Sequence, residues 1–198
     1  MRPKLLSSLS IIVMLASTPV FAVRKSDHVN YADRPGASFH TPPPDRAMVV
    51  FMRPSKKGHG ISSIVYDEDT FLAVVMSETH VVYLTNPGRH RFMIVSEAAD
   101  FLDADLEGGK IYYALVQARM GAWKARFSLF PFTPRHEEWG KLEEWLAESY
   151  EVTSNESGSR WAREHADSVK AKKDAYLVKW LEKPQPPALE KADGVTRP

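Results

Sequence analysis

The stretch LTNPGRHRFMIVSEAADFLDADLEGGKIYYALV, Leu84 to Val116, decides the fold, because two turn signals divide it into three runs with strand chemistry. Asn86-Pro87-Gly88 marks the first turn and Gly108-Gly109 the second. The runs Arg91 to Val95, Phe101 to Leu106 and Lys110 to Val116 are rich in β-branched, aromatic or alternating apolar residues, which suit a pleated sheet. Together they read as a β-meander. Upstream, Ala47 to Met52 is a continuous apolar run closed by Arg53-Pro54, Ile61 to Tyr66 and Phe71 to Met76 flank the acidic turn at Asp67 to Thr70, and His80 to Leu84 leads into the meander. Downstream, Lys124 to Leu129 alternates and stops at Pro131. Strands following one another without a helix between them predict an antiparallel sandwich-like or strongly curled arrangement of about eight strands. Several of them are apolar at consecutive positions, so something must cover both faces.

The last third of the chain changes period. Thr133-Pro134 reads as an N-cap with proline at the first helical position, and Trp139, Leu142, Trp145 and Leu146 recur at helical spacing, predicting a helix to about Tyr150. After a polar break over Ser154 to Ser159, Trp161, His165, Val169, Tyr176, Leu177, Trp180 and Leu181 mark one face of a longer helix that ends before Pro184. The first helix is acid-rich, the second base-rich and the link short, which favours an antiparallel helical hairpin. Surface ion pairs contribute only ~0 to 1 kcal/mol each, so charge selects the pairing and the aromatic faces supply the stability. The expected class is therefore α+β, with an antiparallel β-sandwich-like domain of about eight strands followed by a C-terminal helical hairpin. The boundaries are a signal peptide over 1–22, an extended leader over 23–45, the β domain over 46–132, the two-helix appendage over 133–183 and a disordered tail over 184–198. Either the helices dock on the sheet and cover it, or the stripe from Trp161 to Leu181 stays open for a partner.

Three short signatures carry a family resemblance: Phe51-Met52-Arg53-Pro54 at a strand end, Pro87-Gly88-Arg89-His90 before a strand, and Gly109-Lys110-Ile111-Tyr112-Tyr113 at a strand start. Over roughly Arg46 to Phe132 the chain resembles the DUF2846 family of exported bacterial envelope proteins, many of them lipoproteins. The resemblance implies a fold and an address, and it brings no catalytic residues.

The 198 residues suffice for one domain with an appendage, and the 43% hydrophobic and 26% charged fractions are those of a globular protein. Met1 to Ala22 has the parts of a secretory signal: Arg2 and Lys4, an apolar run from Leu9 to Ala16, and a small residue at the end of Pro19 to Ala22. That run is far shorter than the ~20 residues of a membrane span. Cleavage after Ala22 leaves 24 basic against 25 acidic residues, so no basic footprint for nucleic acid remains. The chain has no cysteine. Disulfides, a thiol nucleophile and a lipobox anchor are all ruled out, and the lipoprotein members of the resembled family differ here. The expected address is periplasmic and soluble, with no transmembrane helix after signal cleavage.

The chemistry-bearing motifs are incomplete. His136-Glu137-Glu138 begins a zincin-like pattern, but Gly140 stands where the second histidine is needed, and no Gly-x-Ser-x-Gly elbow occurs. Asp103, Asp105 and Glu107 share one face of a predicted strand, opposite Leu102, Ala104 and Leu106. They read as a solvated face, with a cation site or a pair of hydrolase carboxylates as the sharper alternatives. His59, His80 and His90 lack metal-ligand spacing, although strand ends could bring His80 and His90 together. Asn155-Glu156-Ser157 matches a glycosylation sequon, which carries little weight in a bacterial envelope protein. The binding candidates are the aromatics Tyr112, Trp123, Trp161, Tyr176 and Trp180, weighed against core packing. No catalytic residue, metal ligand or cofactor is assigned. The expected function is a non-enzymatic envelope module that binds or scaffolds an envelope protein or glycan. The alternative is a carboxylate-dependent hydrolase acting on envelope carbohydrate.

Overall fold

The computed structural model describes residues 26–120 and 125–197. The signal segment and Trp123 lie outside the described residues. The eight expected strands are present as β2 (Ala47–Arg53), β3 (Ser63–Asp67), β4 (Thr70–Val75), β5 (Thr79–Thr85), β6 (Gly88–Val95), β7 (Ala99–Leu106), β8 (Ile111–Met120) and β9 (Ala125–Phe132). Three more join them: β1 (Val29–Tyr31), β10 (Tyr150–Ser154) and β11 (Ala188–Leu189). The helices are α1 (Leu142–Glu148), α2 (Glu156–Glu164) and α3 (Ala166–Leu181). The class is α+β. The strands form a six-stranded sheet in the order β1-β10-β5-β2-β8-β9 and a five-stranded sheet in the order β11-β7-β6-β3-β4.

The pairing is not purely antiparallel. β2 runs parallel to β8, β10 to β5 and β11 to β7. The expected meander is only half formed, since β6 and β7 pair but β8 crosses to the other sheet. The crossing happens at the double glycine. Gly109 takes φ of +73°, and a Cβ on Gly108 would run into the Pro44 carbonyl, so the chain there threads against Pro44 where a hairpin turn would face solvent. β8 then lies between β2 and β9, which explains why Ile111 to Val116 are apolar at every position and all buried.

The helical hairpin is not what forms. Tyr150–Ser154 is a strand, and it inserts between β1 and β5 so that α1 and the α2–α3 pair cover opposite sides of the molecule. The β-branched Val152-Thr153 and a cross-strand pairing of Tyr150 and Glu151 with Thr79 and His80 outweigh the charge complementarity of two exposed helices. The helical start at Thr133 is also later than its cap signal. Residues 134–138 make turns, Trp139–Lys141 forms a 3₁₀ turn, and α1 begins at Leu142. The sequon asparagine is the α2 N-cap, its side chain accepting from the Gly158 N–H at 3.0 Å. The two ends of the chain are built in as well. In the segment read as an extended leader, β1 pairs with β10 and Phe39 packs beneath α1's sheet face. In the segment read as a disordered tail, β11 pairs with β7, Leu189 is buried, and Val195 bridges Ile111.

Three apolar layers result. Between the facing sheets, Phe51 of β2 meets Phe92 of β6 edge-on at 5.1 Å, with Val49, Tyr112, Ala114, Leu102 and Leu129 around them. The outer face of the five-stranded sheet presents Tyr66, Met93, Val95 and Phe101, and α2–α3 covers it with Val169, Tyr176, Leu177 and Trp180. The outer face of the six-stranded sheet presents Met48, Val50, Met52, Tyr113 and Phe132 to Trp139, Leu142, Trp145 and Leu146. Both helical segments therefore dock, which accounts for the tryptophans of the last third. Each such aromatic removes ~150 to 250 Å² from water.

Arg53 anchors the loop after β2. It is 1% exposed with no carboxylate partner among the described residues, and its guanidinium donates to the carbonyls of Ile61 and Gly58, each at 2.7 Å, while stacking over Phe127 at 4.3 Å. Burial lowers its pKa to about 10, which leaves it charged at neutral pH.

Candidate functional site

Helix α2 stops at Glu164 and α3 starts at Ala166, with His165 at the joint; its Nδ1 lies 2.8 Å from the Trp161 carbonyl. On the side of this joint that faces the β3–β4 hairpin the helices carry Ser159, Ala162 and Ala166, small residues at helical spacing. Too short to fill the space above the sheet, they leave a groove of about 630 Å³. Its floor is Tyr66 of β3, Phe71 of β4 and Met93 of β6, and Val169 closes one wall. Tyr66 and Phe71 meet edge-on at 5.8 Å.

Tyr66 is the chemically unusual member. The residue is 4% exposed, yet its hydroxyl has no hydrogen-bond partner among the described residues. An unpaired buried hydroxyl costs ~1 to 3 kcal/mol, a cost that a phenylalanine would not carry. Burial pushes its pKa up to about 12, so the group stays a neutral phenol able both to donate and to accept. The rim is charged but largely self-compensated: Lys173 pairs with Asp69 at 2.8 Å and Lys170 with Asp174 at 2.6 Å. An apolar floor beneath a polar rim is the usual composition of a small-ligand pocket.

Of the aromatics singled out from sequence, the four described ones lie outside this groove. Trp180 is 2% exposed, packs edge-on to Phe101 at 5.8 Å and lies beneath Arg91 at 5.1 Å. Its surface is spent on covering β7. Tyr112 is fully buried in the other sheet, its hydroxyl accepting from the Glu107 N–H at 2.8 Å and donating to the Lys191 carbonyl at 3.3 Å. Tyr176 is half-buried against the five-stranded sheet. Trp161 stacks on His165 at 4.3 Å and borders a separate recess of about 210 Å³ with Ile61, Ile64 and Val95. Tyr66 and Phe71 were read only as strand residues. The signal that could have found them is the small-residue face at 159, 162 and 166 opposite an aromatic hairpin.

The other sequence candidates are occupied structurally. Asp103 is held by Arg91 through both oxygens, at 2.7 and 3.1 Å, and Asp105 lies 3.7 Å from Lys191. His59 sits 2.9 Å from the Ser77 hydroxyl, and His136 packs on Phe132. His80 and His90 are not brought together. His90 bridges the Asp67 carboxylate and the Asn86 carbonyl, each at 2.9 Å, whereas His80 lies under the opposite sheet face beside Ser149. Among the described residues, no group of three or more His, Asp or Glu side chains converges as metal ligands would.

Among known proteins, no family model matches the chain and no curated protein matches it. The site therefore rests on geometry. Among the described residues, no helix is long and apolar enough to cross a membrane.

One further constellation was invisible to motif searching. Ser149 Oγ is 2.8 Å from His80 Nδ1, and His80 Nε2 is 3.8 Å from Glu151 Oε2. The residue types are those of a Ser-His-acid triad, but the serine is 4% exposed. The N–H groups of Ser149 and Tyr150 are bonded to the carbonyls of Trp145 and Glu78, so neither is free to stabilise an oxyanion.

Proposed function

We propose that the chain is a non-enzymatic binding module of the bacterial envelope, exported through its N-terminal signal, whose groove at Tyr66 takes an apolar group bearing one hydrogen-bonding atom. The observation that carries the reading is the Tyr66 hydroxyl, buried at the floor of the groove without a partner among the described residues. A ligand that seats apolar surface on Phe71, Met93 and Val169 while completing that hydrogen bond removes the cost of the orphaned phenol. The basic start, short apolar run and Ala22 support export, and the DUF2846 resemblance supports an envelope address. The two facing sheets fit a sandwich-like domain. Against the hydrolase alternative, Asp103 is tied to Arg91 through both oxygens.

The test uses a ligand pair that differs by one hydroxyl, benzyl alcohol and toluene, titrated while the methyl resonances of Met93, Ala162 and Ala166 are followed. The expected result is a saturable shift with benzyl alcohol bound several-fold more tightly, and loss of that preference in Tyr66→Phe. An unchanged preference in the variant, or no saturable shift at these methyls, would overturn the assignment.

A further inference from the structure

We propose that the cleft beneath residues 32–38 is a recognition site for a primary ammonium group, anchored by the Glu151 carboxylate. The cleft encloses about 690 Å³ at the β1–β10 edge of the six-stranded sheet, away from the Tyr66 groove. Register aligns its polar side chains. Asn30 stands opposite Thr153 across β1 and β10, and Glu151 lies two residues earlier on β10, beside His80 of β5. Because strand side chains alternate, these four share one face. The segment over them is held in place by its backbone, with the Ala32 N–H donating to the Glu151 carbonyl and the Gly36 N–H to that of Ser149, and by Phe39 packing against the His80 ring.

Glu151 is under-compensated there. Its side chain is 26% exposed, and among the described residues no donor reaches its carboxylate at hydrogen-bond distance. The nearest is His80 Nε2 at 3.8 Å, on a residue with no exposed surface and no other partner for that nitrogen. His80 Nδ1 is engaged by the Ser149 hydroxyl at 2.8 Å, which leaves Nε2 as the ring atom turned toward the carboxylate. Burial raises the Glu151 pKa, as expected of a carboxylate drawn from water without a cation.

An ammonium ion brings a compensating charge and three N–H donors. The site offers three acceptors in a row: the Glu151 carboxylate, the Thr153 hydroxyl and the Asn30 amide oxygen, with Asn30 and Thr153 making no side-chain hydrogen bond among the described residues. The charges on the covering segment are Asp33 and Arg34, neither ion-paired among the described residues, so the cleft with Glu151 is net negative. A divalent metal fits less well, since it needs six or more oxygens and several carboxylates, and no such group converges here among the described residues.

The experiment titrates the full chain with n-butylammonium chloride at pH 7.5 and follows the backbone amides of Asn30, Glu151 and Thr153 by NMR. Tetramethylammonium, which has no N–H, n-butanol, which has no charge, and magnesium chloride serve as controls. The expected result is saturable binding of n-butylammonium alone, at least ten-fold weaker in Glu151→Gln and several-fold weaker in Thr153→Val. Equal shifts with tetramethylammonium or magnesium would show a merely ionic effect and overturn the proposal. So would undiminished binding in Glu151→Gln. Should that variant fail to fold, the exposed Asn30→Ala and Thr153→Val decide the matter, an unchanged affinity in both counting against the site.

Discussion

His80 should make the fold acid-sensitive as the pH falls below the ordinary histidine value of 6.5. It has no exposed surface, its Nδ1 meets the Ser149 hydroxyl, and it faces Phe39, Glu151 and Arg197. Burial first, and the Arg197 charge second, lower its pKa to about 4 from an ordinary 6.5. The folded state thus holds this imidazole neutral, while the unfolded chain takes up a proton once the pH drops through 6.5. The associated stability is fully present above pH 6.5, is lost progressively below it, and stops falling below about pH 4. Linkage between those two pKa values gives a loss of ~1.4 kcal/mol at pH 5.5 and ~2 kcal/mol at pH 5. Glu151 acts in the opposite sense, because burial raises its pKa and makes the folded state the better proton acceptor, but it is shared by the parent and a His80 variant. Comparison at pH 7.5 and 5.5 therefore isolates the histidine. Urea unfolding of the parent and of His80→Asn, which keeps a polar atom near Ser149 and does not titrate, is the assay. The parent's advantage over the variant should shrink by ~1.4 kcal/mol between the two pH values. An advantage of the same size at both would refute the claim that the buried ring is held neutral.

Other outcomes are equally checkable. Trp180→Ala removes the ring that covers Phe101 and lies beneath Arg91, and should cost ~3 to 5 kcal/mol in urea unfolding. Asn155→Ala deletes the α2 cap to Gly158 and should cost ~1 kcal/mol, with faster amide exchange confined to the first turn of that helix. Arg53→Met keeps the stem but leaves the Ile61 and Gly58 carbonyls without their donor, so cleavage by trypsin at Lys56 or Lys57 should accelerate well before global unfolding. Protection of that loop equal to the parent's would mean that the guanidinium is not its anchor.

Strand chemistry was legible wherever burial and pattern agree. Each of the eight runs read from β-branched and aromatic residues is a strand, because burial on both faces keeps such runs apolar whatever their partners. Pairing was not legible. Gly108-Gly109 looks the same in sequence whether the chain turns back on its neighbour or crosses to the other sheet, and only the approach of Pro44, more than sixty residues upstream, settles which occurs. The three unread strands are short, and each is held by a distant partner: β1 by β10, β10 by β5 and β11 by β7. Glu151 and Val152 fell at the end of an acidic helical run, where local pattern favours helix and the long-range pairing to His80 overrules it.

The same reasoning explains why the aromatic candidates pointed beside the site. Tryptophans and tyrosines at helical spacing identify the face that docks, and a face that docks well is closed to ligands. Trp180 fills its place above Phe101 completely. An opening arises where the docking face runs short of volume, at Ser159, Ala162 and Ala166, and what lies beneath is set by a strand some ninety residues away. This makes the groove testable by filling it. Ala166→Leu places an isobutyl group over Tyr66 and Phe71 on an otherwise exposed helical position, so it adds apolar contact without overpacking a closed core. It should leave the protein at least as stable as the parent, by up to ~1 to 2 kcal/mol for the area it buries. It should also abolish benzyl alcohol binding at the Met93 methyl. Binding that survives the filled groove would place the ligand elsewhere, and a large loss of stability would show that the helix joint leaves no space there to fill.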